Sequence, residues 1–321
     1  MKKNEKRNIL ILSVVSIIII LVELVYVYSR NDITEEYLLN NEKLLGITDV
    51  TGEGIIINIK DGRDLIHQED IIILLDELKN AGAEAISVNE QRIVKDTYIY
   101  CDGSVILIDG VKIGNPFAIK AIGDSKTIYG AITRNKGYIE TLTKDGIIVE
   151  VEKNSNIEIK KTNKKLIESS FNNKDLLRKV KITDRLIGNT NVLGGGVQIT
   201  IDTSNTQDIT ALTLLQLIND LNSAGADAIS INGNRVMNMT DIMDINKEYI
   251  LLDSNCISSP YQICAIGNIK KLKEVINLEN SVISKLEKSG KDITIKYKWI
   301  MKVNKYVTTR GQSKLTIKYM K

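Results

Sequence analysis

The stretch Ala81-Gly-Ala-Glu-Ala-Ile-Ser-Val-Asn89 returns as Ala224-Gly-Ala-Asp-Ala-Ile-Ser-Ile-Asn232, and an arginine follows each, Arg92 and Arg235. The offset is 143 residues. Upstream, Gly52-Glu-Gly-Ile-Ile-Ile-Asn-Ile59 matches Gly194-Gly-Gly-Val-Gln-Ile-Thr-Ile201 at an offset of 142; downstream, Pro116–Gly123 matches Pro260–Gly267 at 144. Both prolines of the chain fall in that last pair. The offset grows at two places, each inside an expected loop, where insertions are tolerated. A duplicated chain builds one supersecondary unit twice, so each half must satisfy the same pattern of burial.

The pattern is the same in both halves. Ile55–Lys60 and Val197–Asp202 are β-branched runs opened by glycines, and are expected as strands. A helix follows, with Ile71, Leu74, Leu75 and Leu78 on one face and Leu214, Leu217, Ile218 and Leu221 on its equivalent. Gly82 and Gly225 sit just past each helix, where a left-handed residue ends it. Ala85–Asn89 and Ala228–Asn232 read as strands entering turns, the second with an Asn-Gly hairpin signal. Further short strands are expected at Thr97–Cys101 and Val105–Asp109. A second helix is expected from Asp124-Ser125, its stripe running Ile128, Ile132, Ile139 and Leu142, against Leu272, Ile276, Ile283 and Leu286. The last strand is expected over Gly146–Val151 and Asp292–Tyr297. Strand, helix, strand, strand, helix, strand is the ferredoxin-like split βαβ order, with extra hairpin material. The expected class is α+β: two tandem ferredoxin-like repeats behind an N-terminal transmembrane helix.

Residues 1–8 hold Lys2, Lys3, Lys6 and Arg7, and Ile9–Tyr28 follows with one charge, Glu23. Such a run is long enough to cross a bilayer, and the basic flank places the N-terminus in the cytoplasm. Tyr26 and Tyr28 suit the headgroup belt, where Glu23 can also reach. A cleaved signal peptide is the alternative, but Tyr26–Arg30 offers no small-residue cleavage site. The expected organisation is a cytoplasmic tail over 1–8, an anchor over 9–28, a juxtamembrane helix over 29–45 and a first repeat over 46–153. A linker helix over 154–187, a second repeat over 188–298 and a basic hairpin over 299–321 complete it. That last segment carries Lys302, Lys305, Arg310, Lys314, Lys318 and Lys321 without an acid. It is either one solvated face or a contact for anionic lipid or wall polymer.

Composition narrows the chemistry. A net charge of +3 gives no basic bias of the kind nucleic-acid binding needs. One histidine, His67, and three cysteines cannot furnish the usual four-ligand zinc site, so no metal and no cofactor are expected. His67 could act as a base only beside a nucleophile, which nothing in the sequence supplies; a helix-entry or surface role is expected. The glycines at 52–54 and 194–196 precede a strand instead of linking strand to helix, unlike a dinucleotide loop. Cys101, Cys256 and Cys264 are expected as free buried thiols, with a Cys256–Cys264 bridge as the alternative. Asn89 with Arg92, and Asn232 with Arg235, are the polar pairs kept by both copies. Either Asn takes a positive-φ turn position and Arg pairs with an acid across the hairpin, or the four residues contact a partner or an anion.

The Gly-rich strand entry, Ala81–Arg92, Asn115-Pro-Phe-Ala-Ile-Lys-Ala-Ile-Gly-Asp124 and the N-terminal apolar run together resemble the uncharacterised bacterial family to which the YlxW and YlxX proteins belong. The similarity covers about residues 46–153 and again 188–298. It implies a membrane-anchored, extracytoplasmic, non-enzymatic protein encoded near division genes, usually with one such domain behind a coiled-coil stalk. No catalytic residue is carried over. Two copies and little stalk depart from that pattern, and Thr206-Gln-Asp-Ile209 stands where His67–Asp70 stands in the first copy. The expected function is binding or scaffolding in the cell envelope, in division or sporulation, with unidentified envelope or division proteins as partners. The alternative is a domain binding or acting on wall precursors or anionic ligands through the Asn/Arg turns.

Overall fold

The computed structural model describes residues 15–23, 35–103, 105–164, 176–203, 209–307 and 317–321. Two compact units divide the chain, Met1–Asn41 and Glu42–Lys321. In the first, residues 15–23 are helical with exposed apolar side chains, and a second helical run begins at residue 35. Among the described residues no helix is long and apolar enough to cross a membrane. The rest of the expected anchor over 9–28 lies outside the described residues.

The second unit is mixed α+β and holds both repeats. The first contains β1 (Val50–Lys60), α1 (Gln68–Asn80), β2 (Ala85–Val88), β3 (Gln91–Arg92), β4 (Ile99–Cys101), β5 (Ile106–Ile108), β6 (Val111–Ile113), β7 (Phe117–Ile122), α2 (Ser125–Ile132), α3 (Tyr138–Asp145) and β8 (Ile148–Ile159). After α4 (Leu176–Leu186) the second repeats the order with β9 (Val192–Asp202), α5 (Ala211–Ser223), β10 (Ala228–Ile231), β11 (Asn234–Arg235), β12 (Ile242–Asp244), β13 (Ile250–Leu252), β14 (Asn255–Ile257), β15 (Tyr261–Ile266), α6 (Ile269–Ile276), α7 (Val282–Lys288) and β16 (Asp292–Val303). Each repeat has a five-stranded sheet, ordered β3-β2-β7-β1-β8 and β11-β10-β15-β9-β16, with antiparallel neighbours. The inserted strands form a separate three-stranded sheet per repeat.

Alternation places Ile55, Ile57 and Ile59 on the face covered by Ile71, Leu74 and Leu78 of α1. The opposite face carries a smaller cluster, Val50, Ala85, Ile122, Ile157 and Ile159, with Met320 from the far end of the chain. Its equivalent in the second repeat is Val192, Ala228, Ile266, Met301 and Val303. The core is therefore built twice from β-branched strands and the apolar faces of three helices, with Ile128, Ile132 and Leu142 joining the α1 stripe in the first repeat and Leu272, Ile276 and Ile283 the α5 stripe in the second.

Three expectations need correction. The expected second helix is two, α2 and α3, because Lys136 takes a φ of 60° and Gly137 starts a new helix as its N-cap. The equivalent break lies at Asn277–Ser281, with Ser281 capping α7. The closing strand runs to Ile159 and Val303, well past Val151 and Tyr297, because β1 and β9 offer a full edge along their length. The cysteines are free, but Cys101 and Cys256 are exposed on the small sheets and Cys264 is half-buried.

The two repeats pair reciprocally. Asp76 on α1 accepts the N–H of Ile242 at 3.0 Å, and Asn219 on α5 accepts the N–H of Ile99 at 2.6 Å. Asp76 and Asn219 occupy one position of the duplicated unit, as do Ile99 and Ile242, so the contact is isologous. Asn219 also donates to the Ile99 carbonyl at 2.7 Å, and Asn222 donates to the carbonyls of Lys95 and Thr97. Met239 enters the first core, with Leu212 and Leu215 packed against it.

Candidate functional site: a cleft at the junction of the repeats

The polar pairs kept by both copies belong to the framework. Asn89 has a φ of 43° and Asn232 one of 47°, the left-handed turn position that asparagine tolerates. Asn89 donates to the carbonyls of Gly114 and Pro116 and accepts from Ala118 N–H at 2.7 Å. Asn232 does the same with Ser258, Pro260 and Gln262. Both thereby brace a cis-proline turn, Asn115–Pro116 or Ser259–Pro260.

Among the described residues neither arginine is paired with an acid across the hairpin. Arg92 is 3% exposed and Arg235 2%, each in a two-residue strand against the sheet. Arg92 Nη2 donates to the carbonyl of Lys43, where the helical residues 35–45 end. That is where a cation meets the negative end of a helix dipole. Burial pushes both guanidinium groups down to about 10, so they remain charged at neutral pH. The Nε and Nη1 of each have no hydrogen-bond partner among the described residues. His67 is the N-cap of α1, its backbone N–H held by Asp70 in a capping box. The equivalent cap is Thr210 of α5, four residues beyond the Thr206 that sequence matching suggested. A different residue thus meets the same backbone requirement. Residues 204–208 lie outside the described residues.

Gly54 and Gly196 serve close strand approach. A Cβ there would lie 1.8 Å from the Ala121 carbonyl oxygen and 2.0 Å from that of Ala265. The β1–β8 register shifts between Gly52 and Gly54.

A cleft of about 560 Å³ lies at the junction of the repeats. One wall is the opening of β9, Val192–Gly195, with Asp227, Ile266 and Gly267; the other is Glu84 and Val94–Asp96. Arg185, Asn238 and Tyr306 complete its polar rim. Lys95 reaches across and donates to the Asp227 carbonyl at 2.6 Å. Burial pushes its ammonium down to about 8, with Asp96 acting in the opposite direction. Asn238 Oδ1, buried in the same wall, has no partner among the described residues. The cleft therefore mixes apolar strand surface with isolated polar groups, a lining suited to holding a ligand. Among the described residues no group of His, Cys, Asp and Glu could hold a metal ion.

The counterpart of this wall in the first repeat carries a guest. The N–H groups of Lys318, Tyr319 and Met320 donate to the Glu84 carboxylate at 2.7, 2.8 and 2.9 Å, and Lys321 pairs with Thr51 through both backbone groups. Inspection for titratable motifs passes over Glu84, Lys95 and Asp227. The duplication is a signal for Glu84 and Asp227, since an acid stands at that position of both copies; Lys95, with Asn238 at its place in the second copy, has none.

Comparison with known proteins puts a family beside this geometry. The model for "Bacterial protein of unknown function (DUF881)" matches residues 38–171 and again 179–321. The chain is 32% identical over 143 residues to UPF0749 protein YlxW of Bacillus subtilis (strain 168), covering 41% of this chain and 60% of that protein. It is 28% identical over 142 residues to YlxX of the same organism, covering 39% and 60%. A UPF0749 protein of Mycobacterium tuberculosis (strain ATCC 25618 / H37Rv) is 33% identical over 93 residues, 28% of this chain and 32% of that one. The match thus spans about 60% of the Bacillus relatives' length. A crystal structure of an uncharacterized conserved protein from Mycobacterium tuberculosis aligns at TM-score 0.38 and 24% identity, over 42% of this chain and 96% of that one. With its domain matched twice along the chain, this protein belongs to the DUF881 family of bacterial proteins of unknown function.

Proposed function

We propose that this chain is a non-enzymatic, membrane-anchored binding or scaffolding protein of the bacterial cell envelope, with its paired repeats outside the cytoplasm. The observation that carries the binding half is the cleft of about 560 Å³ that repeat pairing creates, walled by strand backbone and apolar side chains. The anchor rests on the twenty residues Ile9–Tyr28 and the four basic residues before them. A role in division or sporulation rests on the family resemblance alone. Each repeat is read as ferredoxin-like: β8-β1-β7-β2, antiparallel with helices after β1 and β7, is the order of that unit. Affinity capture of the tagged full chain from envelope extract should recover a specific protein, and a reporter fused at the carboxyl end should be active outside the cytoplasm. No captured protein under several extraction conditions, or a reporter active only in the cytosol, sinks the reading.

A second reading, contact with an anionic lipid surface, is favoured by Trp299 and Ile300. They lie 87% and 80% exposed on β16, beside a register shift between Lys298 and Met301. Lys296, Lys298, Lys302 and Lys305 flank them, whereas Ser155 and Asn156 hold the equivalent place in the first repeat. An exposed indole among lysines suits a headgroup layer. Binding of the full chain to anionic liposomes should weaken with salt and fall at least fivefold in Trp299→Ala. Unchanged binding in that variant assigns the lipid contact elsewhere.

A further inference from the structure

We propose that the second repeat is a receptor for an extended, basic peptide strand of another polypeptide, seated there as residues 317–321 are seated on the first repeat. The inference rests on the binding-module reading above and names the ligand class of the same cleft.

The argument is one of duplicated position. In the first repeat, Thr51 donates its N–H to the Lys321 carbonyl at 3.2 Å and accepts the Lys321 N–H at 2.7 Å. The tail thus prolongs the sheet beside β1 just beyond the end of β7, where Gly123 N–H bonds to the Glu53 carbonyl. Glu84 gathers three successive backbone N–H groups, and Met320 is buried among Val50, Ala85, Ile122, Ile157 and Ile159. Gly52 leaves room for the crossing backbone: a Cβ there would stand 2.3 Å from the Tyr319 carbonyl oxygen.

Every element of that receptor recurs at the cleft. Leu193 stands for Thr51, Gly194 for Gly52 and Asp227 for Glu84; Val192, Ala228 and Ile266 stand for Val50, Ala85 and Ile122. Gly267 N–H bonds to the Gly195 carbonyl as Gly123 does to Glu53, so the backbone beyond it has the same direction. A Cβ on Gly194 would lie 2.8 Å from the Ile266 Cγ2 methyl, as one on Gly52 would lie 2.7 Å from that of Ile122, but among the described residues no backbone crosses Gly194 within 4 Å of that Cβ. Leu193 is 69% exposed, and among the described residues no donor bonds to the Asp227 carboxylate. Main-chain hydrogen bonds to a sheet supply affinity in strand addition, and a pocket for alternate side chains supplies selectivity. Here the pocket is the apolar surface of Val192 and Ile266, and the exposed Asp227 favours a flanking lysine. Among the described residues a strand is seated on the first repeat, at Thr51, and none pairs with Leu193 in the same way; a strand of another polypeptide is the occupant assigned to the second receptor.

The test uses the full chain and a fluorescent peptide of residues 315–321, Leu-Thr-Ile-Lys-Tyr-Met-Lys, read by polarisation. Saturable binding of one peptide per chain is expected, weakened at least tenfold in Asp227→Lys. It should weaken as much for a peptide N-methylated at the positions of Tyr319 and Met320, a control that leaves the protein untouched. Absence of saturable binding, binding unchanged in Asp227→Lys (the sign of exchange into the first repeat), or indifference to N-methylation each overturns the proposal. An envelope partner that is still captured while the peptide does not bind leaves the binding-module reading standing and removes only the strand receptor.

Discussion

At Gly54 the backbones of β1 and β7 lie too close for any side chain, since a Cβ would sit 1.8 Å from a carbonyl oxygen. Gly54→Ala is therefore expected to destabilise the chain by about 3 kcal/mol, the upper end for overpacking, because backbone must move. Gly114, with nothing within 4 Å of its Cβ site, should tolerate alanine with almost no change. Urea midpoints measure both, and equal midpoints would contradict the close approach. Asp253 titrates in a partly closed site: burial pushes its carboxyl up to about 6, opposed by the Thr240 hydroxyl bonded to it at 3.2 Å. A carboxyl raised in the folded state binds its proton more tightly there than in the unfolded chain. Its contribution is thus fully present below the unfolded value of about 4 and is lost as pH rises through about 6, a difference of about 3 kcal/mol. Asp253→Asn should flatten the stability profile between those values; an unchanged slope would assign the titration to another group. His67 meets a local requirement, its N–H held by Asp70 three residues on, whereas Asn89 and Asn232 serve backbone groups 25 to 30 residues away.

Among the elements, α1 and α5 have two tasks. One face fills a core, as the stripes Ile71–Leu78 and Leu214–Leu221 announced, and polar residues outside that stripe join the repeats. Asn219 is the clearest case, its amide serving both backbone groups of Ile99. Asn219→Ala strands both at a partly buried junction and should cost about 2–3 kcal/mol. Asn219→Asp retains the acceptor and should cost less. Chemical denaturation of the two variants checks the order, and equal losses would mean that the donated bond to the Ile99 carbonyl carries the contact. No stripe in the sequence distinguishes such a residue from a solvated asparagine, because its partner is 120 positions away.

At the scale of the molecule, reciprocal pairing predicts shared stability. Met239, Leu212 and Leu215 belong to or pack on the first core, so neither repeat keeps its burial when the other unfolds. Calorimetry should show a single transition for residues 42–321 within the full chain. Two separated transitions in the wild type would show the repeats to be independent. Removal of residues 317–321 uncovers Val50, Ala85 and Ile122 and the Glu84 carboxylate, and should lower that transition by several degrees.

The duplication, the first amphipathic helix of each copy, the strands and the α+β class were legible in the sequence, because each rests on a period or turn chemistry contained in a short window, whereas the break between α2 and α3 was not. Family membership was legible for the same reason: it is carried by contiguous motifs. The pairing of Asp76 with Ile242 and Asn219 with Ile99, the burial of Arg92 and Arg235, and the seating of residues 317–321 on the first repeat were decided only by tertiary structure. Those contacts join groups from about fifty to more than two hundred residues apart in the chain. Sequence patterns encode which face of an element is apolar but carry no record of which distant backbone will come to lie against it.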